Sequence, residues 1–469
     1  MLVLGTDLIN ASLLTAAIAF GLMSISAAGG IKTAPGLLNC VLIVKFLLIA
    51  LLLKSITFQA LDSQLNAPRT TSKVMAVGFL ALYLGSHLYR YATKVRGLVR
   101  GVSDSRVYLS LAIVFAVATL GSSLALLVTQ NSFADTLSGG LWGVAHQLQS
   151  ATSFCVVPAM YYAWSSGSKR FLTHPLVLTI LLIEITYGVI STTKQGIMEP
   201  LICYLGVGVI RYGIRSKAVW SIVALAGFLY VSVIYPYSQY VRNHGGREGT
   251  FTDRLEAIQE VFFNVAGNSD FRDMVDSNLS ANGDFYLKNE KFRSLGRLAM
   301  IGEADRLIAA TDATQSYSGW QTITWGLQLM VPSFILPEKS TTGGGNFLGH
   351  IVGELAPDDM LTQVSYGFMA NLYNAFGLLG VFIGTILFIF VLYYVLRLWF
   401  AAPNLEFTPF GSSIWYVLLG MFFEHGLIEG PVGNMLPALV NISAFAGLIL
   451  LANWLVSFFA FKRAPLPRY

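Results

Sequence analysis

Charge is scarce in this chain. Asp, Glu, Lys and Arg make up 12% of its 469 residues while apolar residues reach 55%, whereas soluble domains carry roughly 25% charge. Cysteine is scarcer still. Cys40, Cys155 and Cys203 are the whole complement and all lie in apolar stretches, so neither a disulfide framework nor a thiolate metal cluster is available. The chain lacks a Walker-type phosphate loop, a zinc-binding H-E-x-x-H and a G-x-S-x-G nucleophile elbow. Asp62 has no second acidic residue close by, and Asp358 with Asp359 is the sole adjacent acidic pair. That is too little for a metal site, and no cofactor is implied. No Lys or Arg precedes the first apolar stretch, and that stretch is too long for a cleavable leader, so no secretory signal is read. No repeat of solenoid length is present.

What the chain has instead is hydrophobic runs long enough to cross ~30 Å of hydrocarbon. They fall near residues 8–28, 36–56, 74–92, 107–129, 141–163, 174–191, 196–212, 218–235, 369–398, 409–427 and 435–460. Only helices and closed barrels satisfy the backbone in lipid, and these runs lack the alternation of a barrel. The expected fold is therefore an all-α polytopic membrane protein of about eleven helices. It divides into an N-terminal bundle (1–235), a long polar segment (236–368) and a C-terminal group of spans (369–469).

Basic residues set the orientation. With the N-terminus outside, fourteen Lys and Arg fall on the cytoplasmic side, and the short outer loops receive only Lys54, Arg69, Lys73 and Lys194. The positive-inside rule selects this arrangement. It predicts a cytoplasmic C-terminus and places 236–368 at the periplasmic face of an inner membrane. The net charge of +5 then reports topology and not nucleic-acid binding. The long segment itself holds 10 basic and 16 acidic residues.

That segment reads as three pieces. Tyrosines at its start give way to a Gly-Gly turn flanked by Arg242, His244 and Arg247, and a helix opened by Thr252 or Asp253 follows. Phe292–Ala310 has the spacing of an amphipathic helix with Leu295, Leu298, Ile301 and Ile308 on one face. Trp320–Leu336 reads as an interfacial or re-entrant stretch with Trp320 and Trp325 at headgroup level.

Arg242, Arg247, Arg254 and Arg297, with Lys194 at a span end, suit a lipid diphosphate, because planar guanidinium forks pair with phosphate oxygens. The plainer account of any one of them is an ion pair with the surplus Asp and Glu, or for Lys194 a snorkelling helix end. Glu303, Asp305, Glu354, Asp358 and Asp359 are candidate bases toward a sugar hydroxyl and equally ordinary loop charges. Glu424, His425 and Glu429 cluster at the end of a span, where ionisable groups are costly without a role. Lys45 and Glu184 fall at similar depths in two spans, and an ion pair bracing the bundle is the simpler account.

Three stretches carry a family likeness: Val331–Lys339 (VPSFILPEK), Gly343–Gly349 (GGGNFLG) and Ser365–Gly380 (SYGFMANLYNAFGLLG). A Pro-rich turn, a Gly-rich stretch and an aromatic, Asn- and Gly-containing helix entry, set between eight spans and a final group, resemble the Wzy-type polymerases of O-antigen and exopolysaccharide repeat units. In outline the chain is also similar to GT-C-type membrane glycosyltransferases and to O-antigen ligases. The ligases carry a functional His near the position of Asn371, and here that stretch has none. The resemblance implies metal-independent transfer of a glycan from undecaprenyl diphosphate to the next lipid-linked repeat unit. Arg242, Arg247, Arg254, Arg297 and Lys194 would hold the diphosphate, with Glu303, Asp359 or His425 as base. A chain-length regulator and a flippase would be the protein partners. An O-antigen ligase-type transferase, a transporter of lipid-linked sugars and a non-catalytic scaffold remain the alternatives.

Overall fold

The computed structural model describes residues 1–31, 33–92, 98, 105–128, 153–168, 171–190, 194–212, 215–229, 286–287, 299–331, 344–359 and 364–400, together with positions 234, 256, 259, 336, 439, 443, 446, 447, 450, 451, 454 and 455. The described residues are helical with no strand. Each of the first eight predicted spans coincides with a helix: α1 (Leu8–Ala27), α2 (Ala34–Ile43) continuing through a π turn (Val44–Leu48) into α3 (Ile49–Ile56), α4 (Pro68–Ala92), α5 (Ser105–Val128), α6 (Ser153–Ser165), α7 (Pro175–Ile190), α8 (Lys194–Tyr212) and α9 (Lys217–Leu229). In the polar segment and beyond come α10 (Met300–Thr314), α11 (Gln321–Met330), α12 (Gly344–Val352) and α13 (Phe368–Phe400). Four stretches among the described residues are long and apolar enough to cross a membrane: Leu8–Ala27, Pro35–Ile56, Ser105–Ser122 and Phe368–Trp399. The spans expected at 409–427 and 435–460 lie almost wholly outside the described residues.

The chain forms two compact units. The first comprises residues 1–100, 284–408 and 421–446. Its helices are set by short polar signals at their ends and by glycines along their lengths. The Asp7 carboxylate caps α1 by accepting from the Ile9 amide at 3.1 Å, and the Thr33 hydroxyl caps α2 through the Gly36 amide at 3.2 Å. Glycine lets helix backbones approach closely, which supplies the packing that lipid does not. A Cβ on Gly85 of α4 would stand 3.3 Å from the Ile386 Cα of α13. On Gly78 it would stand 2.5 Å from the Met369 sulfur.

A buried polar knot ties four elements. The Asn39 amide donates to the Ser24 carbonyl at 3.0 Å and the Ser86 hydroxyl at 2.9 Å. Its Oδ1 accepts from Tyr393, whose hydroxyl also lies 3.0 Å from the Pro35 carbonyl. Away from water such groups stay only when paired, and every hydrogen-bonding atom of the Asn39 side chain has a partner.

The helix over the span expected at 369–398 is broken near its start into a hairpin. Phe376 (φ −144°, ψ 18°) and Gly377 (φ 66°, ψ −157°) leave helical geometry. The arm 368–375 folds back along the shaft 378–400. Phe368 stacks on Phe388 with ring centroids 4.9 Å apart, whereas twenty residues of straight helix span about 30 Å. Gly384 receives the Leu372 side chain where any Cβ would collide. Gly377 supplies the positive φ that the reversal needs. Hydropathy could not show this bend, because both limbs are equally apolar.

The second unit comprises residues 101–283, 409–420 and 447–469. In it Thr119 of α5 meets Cys155 of α6 at 3.7 Å, and the Tyr204 hydroxyl of α8 donates to the Leu172 carbonyl at 2.9 Å. Pro158 and Pro200 sit inside α6 and α8.

Leucine in place of Gly85 should force α4 and the shaft of α13 apart and destabilise the first unit by about 1–3 kcal/mol. Alanine at Gly121, where nothing lies within 4 Å of the added carbon, should be close to neutral. Thermal melts of the two purified variants in detergent check the contrast.

Candidate functional site

Helix α10 brings the polar segment onto the first unit. Ile301, Ala304, Leu307 and Ile308 form its buried face. Asp305 lies on that same face at 1% exposure, and an acid on an apolar stripe needs partners. It finds them at the start of α4. Oδ2 accepts from the Asn66 amide at 2.5 Å, and Oδ1 accepts from the Ala67 amide at 3.1 Å and the Thr71 hydroxyl at 2.6 Å. These are donors that a helix start leaves unfilled, and the positive end of its dipole favours an anion there. Burial raises the Asp305 pKa above the ordinary carboxylate value, against the pull of these three donors and of Arg306.

The neighbouring loop is tied in the same way. The Tyr286 hydroxyl donates to the Leu61 carbonyl at 2.8 Å. The Lys54 ammonium lies 4.3 Å from the Tyr286 ring centroid and donates to the Ser63 carbonyl at 2.8 Å. Burial, with Asp62 and Asp305 nearby, pushes the Tyr286 phenol well up. Asp62, weighed above as part of a metal pair, instead accepts from the Asp7 amide at 3.1 Å and the Asn10 side chain at 2.9 Å. Lys54 and Asp62 thus have structural duties.

One residue beyond Asp305, the Arg306 guanidinium sits between two carboxylates. It lies 2.6 Å from Glu354 Oε1 and 3.5 Å from Glu303 Oε2, with all three side chains roughly a quarter exposed. Tyr366 completes the group, its hydroxyl donating to Glu354 Oε2 at 2.9 Å. Burial works against the Arg306 charge, but Glu303 and Glu354 outweigh it and the guanidinium is held more firmly charged than usual. Burial and then Glu354 drive the Tyr366 phenol far up, so it stays a donor. Further along α10, Tyr373 donates to Asp312 and the Asn374 amide donates to the Thr311 hydroxyl at 2.9 Å.

Of the candidate bases, Glu303 and Glu354 come together around Arg306, and Asp305 is committed to α4. Asp359 follows α12, where its carbonyl accepts from the Asn346 side chain at 2.9 Å and lies 3.0 Å from His350 Nε2. Lys194 is the first residue of α8. Arg242, Arg247, Arg254, Arg297 and His425 lie outside the described residues, as do Glu424 and Glu429. Glu184 lies in the second unit and Lys45 in the first. One contribution escaped the sequence reading: Tyr366 carries no charge to draw attention. The signal for Asp305 was legible: it lies four residues after Ile301 and three before Ile308, on the apolar stripe. Among the described residues no group of three or more His, Cys, Asp and Glu is arranged to hold a metal ion.

No family model, curated protein or solved structure matches the chain.

Asp305→Ala would leave the amides at the start of α4 without their acceptor and should destabilise the first unit by about 2–3 kcal/mol. The pH dependence has a definite sign. A carboxyl whose folded pKa is raised binds protons more tightly when folded. Its contribution is complete below the ordinary value of 3.8 and declines as pH rises through the raised one. Asp305→Asn removes that titration, so its deficit against wild type should widen as pH falls from neutral toward 4. Melting curves of both proteins across that range provide the check.

Proposed function

We propose that the protein is a membrane glycosyltransferase that polymerises oligosaccharide repeat units carried on undecaprenyl diphosphate, at the periplasmic face of the inner membrane. In this reading the chain has about eleven spans, as in the GT-C-type enzymes it resembles, and the segment 236–368 works in the aqueous phase. The observation that carries it is the Glu303–Arg306–Glu354–Tyr366 cluster, delivered by the polar segment and anchored through Asp305 at the N-terminal end of α4. Secondary transporters build their sites from broken spans near the midplane. Here the charged groups come from the segment between the apolar halves. A scaffold needs no such cluster.

The chemistry asks for two things, a stabilised diphosphate leaving group and a base for the acceptor hydroxyl. Asp305 is committed to the start of α4 and Glu354 to Arg306 and Tyr366. Glu303, 3.5 Å from Arg306, is the carboxylate we assign to take the acceptor proton. Lys194, Arg242, Arg247, Arg254 and Arg297 are the proposed diphosphate contacts. The partners are the lipid-linked oligosaccharide and the bilayer, with a flippase upstream and a chain-length regulator beside it. No metal or cofactor takes part.

A gel of lipid-linked and surface glycan from a deletion strain tests the reading. Loss of the gene should collapse a ladder to single-repeat products, and the wild-type gene should restore it. Glu303→Gln keeps a hydrogen-bonding group beside Arg306 but removes the base, and should slow polymer formation by about 10²–10⁴-fold at unchanged protein level. Long polymer accumulating on the lipid carrier would make the protein a ligase, and an unaltered ladder in the deletion strain would end the glycosyltransferase reading.

A further inference from the structure

Asn39 and Asn371 are both buried in the first unit, at 0% and 1% exposure, yet they differ in kind. Asn39 has every side-chain hydrogen bond made. Asn371 has none: neither its Nδ2 nor its Oδ1 meets a partner. Leaving such a group unpaired costs about 1–3 kcal/mol. The neighbours Phe368, Met369 and Leu372 are apolar, and a leucine here would avoid that cost altogether.

The deficit is local and repeated. Asn374 lies one turn on, at i+3 and so near the same side of the arm. Its orientation is fixed by a chain of donors. Thr311 gives its one hydroxyl proton to the Leu307 carbonyl at 2.7 Å and therefore accepts from Asn374 Nδ2 at 2.9 Å. That leaves Asn374 Oδ1 unfilled. The loop over the end of the arm adds a fourth atom. Ser318 and Gly319 donate their amides to the Asn374 and Ala375 carbonyls at 2.9 and 3.1 Å, capping the arm, while the Ser318 hydroxyl has no partner. Tyr317 and Trp320 flank this loop, with Tyr317 3.5 Å from where a Cβ on Gly377 would stand and Trp320 edge-on to Phe376, ring centroids 5.1 Å apart.

We propose that Asn371, Asn374 and Ser318 form a binding site for the hydroxyl groups of a sugar in the lipid-linked substrate. This rests on the glycosyltransferase reading above and assigns the sugar, as distinct from the diphosphate, to the helical hairpin. The inventory decides the ligand class. The unfilled atoms are two amide carbonyls, one amide nitrogen and one hydroxyl. Phosphate oxygens near neutral pH accept and do not donate, so two carbonyl oxygens turn them away. A sugar hydroxyl donates and accepts, and satisfies all four. The fixed Asn374 carbonyl calls for a donor in particular.

The test uses the full-length protein in lipid nanodiscs with two probes, undecaprenyl diphosphate and the same lipid carrying one repeat unit purified from the deletion strain. Ligand binding raises the melting temperature by mass action. The wild type should bind the sugar-bearing lipid more tightly than the bare one. Asn371→Leu should melt at or above the wild-type temperature without ligand, keep its affinity for bare undecaprenyl diphosphate, and bind the sugar-bearing lipid about tenfold more weakly. Ser318→Ala, a smaller change, gives the same readout should Asn371→Leu fail to fold. Undiminished affinity of both variants for the sugar-bearing lipid would overturn the site and leave ordered water as the partner of these atoms. Equal affinity of the wild type for the two lipids would overturn it while sparing the glycosyltransferase reading. No stabilisation by either lipid would remove both.

Discussion

The grip of Asp305 on the start of α4 is the contact on which the first unit's architecture turns. It joins residues 238 and 239 positions apart in sequence and uses donors that α4 would otherwise leave unfilled. A carboxylate at a helix N-terminus is favoured by both the hydrogen bonds and the dipole. Burial opposes it, which is why the pKa rises although three donors converge. The balance fixes the register of α10. With Asp305 placed, Arg306 lands beside Glu354, and two turns further on Thr311 and Asp312 reach Asn374 and Tyr373. A helix from the polar segment is thus aligned at several points along its length.

The hairpin of α13 depends on the same alignment from the other side. Reversing a helix leaves the last carbonyls of its first limb without partners, and in a bilayer such groups are expensive. Ser318 and Gly319 provide the missing donors. They belong to the short connection after α10, so the placing of α10 also places the cap. Gly377 supplies the backbone conformation, and Gly384 supplies the room for Leu372. Each device is ordinary. Their coincidence is what lets an apolar run of more than thirty residues fold as two limbs.

Hydropathy revealed the helices well and their fates poorly. Helices overlap each of the first eight runs, the fifth from Ser153 onward, because apolar length and backbone satisfaction are local matters. The α7–α8 connection is as short as anticipated: α7 ends at Ile190 and α8 begins at Lys194. The amphipathic spacing of Ile301 and Ile308 correctly marked the buried face of α10. What escaped was long-range. Local spacing puts Asp305 and not Glu303 on the apolar stripe, but nothing local names α4 as the partner of one or Arg306 as the partner of the other. Phe376-Gly377 looks like many apolar dipeptides with a glycine, and the reversal needs the Ser318 and Gly319 amides, far back in the sequence. The interfacial stretch after Trp320 was legible as a helix, ending at Met330 with Val331 extended, as the following Pro332 requires.

The charge balance of the Arg306 cluster constrains how the proposed reaction divides its work. Among the described residues, one guanidinium stands between two carboxylates. A diphosphate brought there would meet repulsion from Glu303 and Glu354 before it met Arg306, and displacing either acid would strand a partly buried charge. Arg306 is therefore a positioning residue for Glu303 and Glu354 and a poor phosphate ligand. In the proposed reaction the diphosphate contacts fall to the other cations, Lys194, Arg242, Arg247, Arg254 and Arg297. The unfilled amides of the hairpin, uncharged and rich in acceptors, repel phosphate for a different reason and receive hydroxyls. Three chemistries then have three addresses: cations for the leaving group, a carboxylate for the proton and neutral amides for the sugar. In that proposal the donor's carrier and the acceptor's sugar are recognised by different groups.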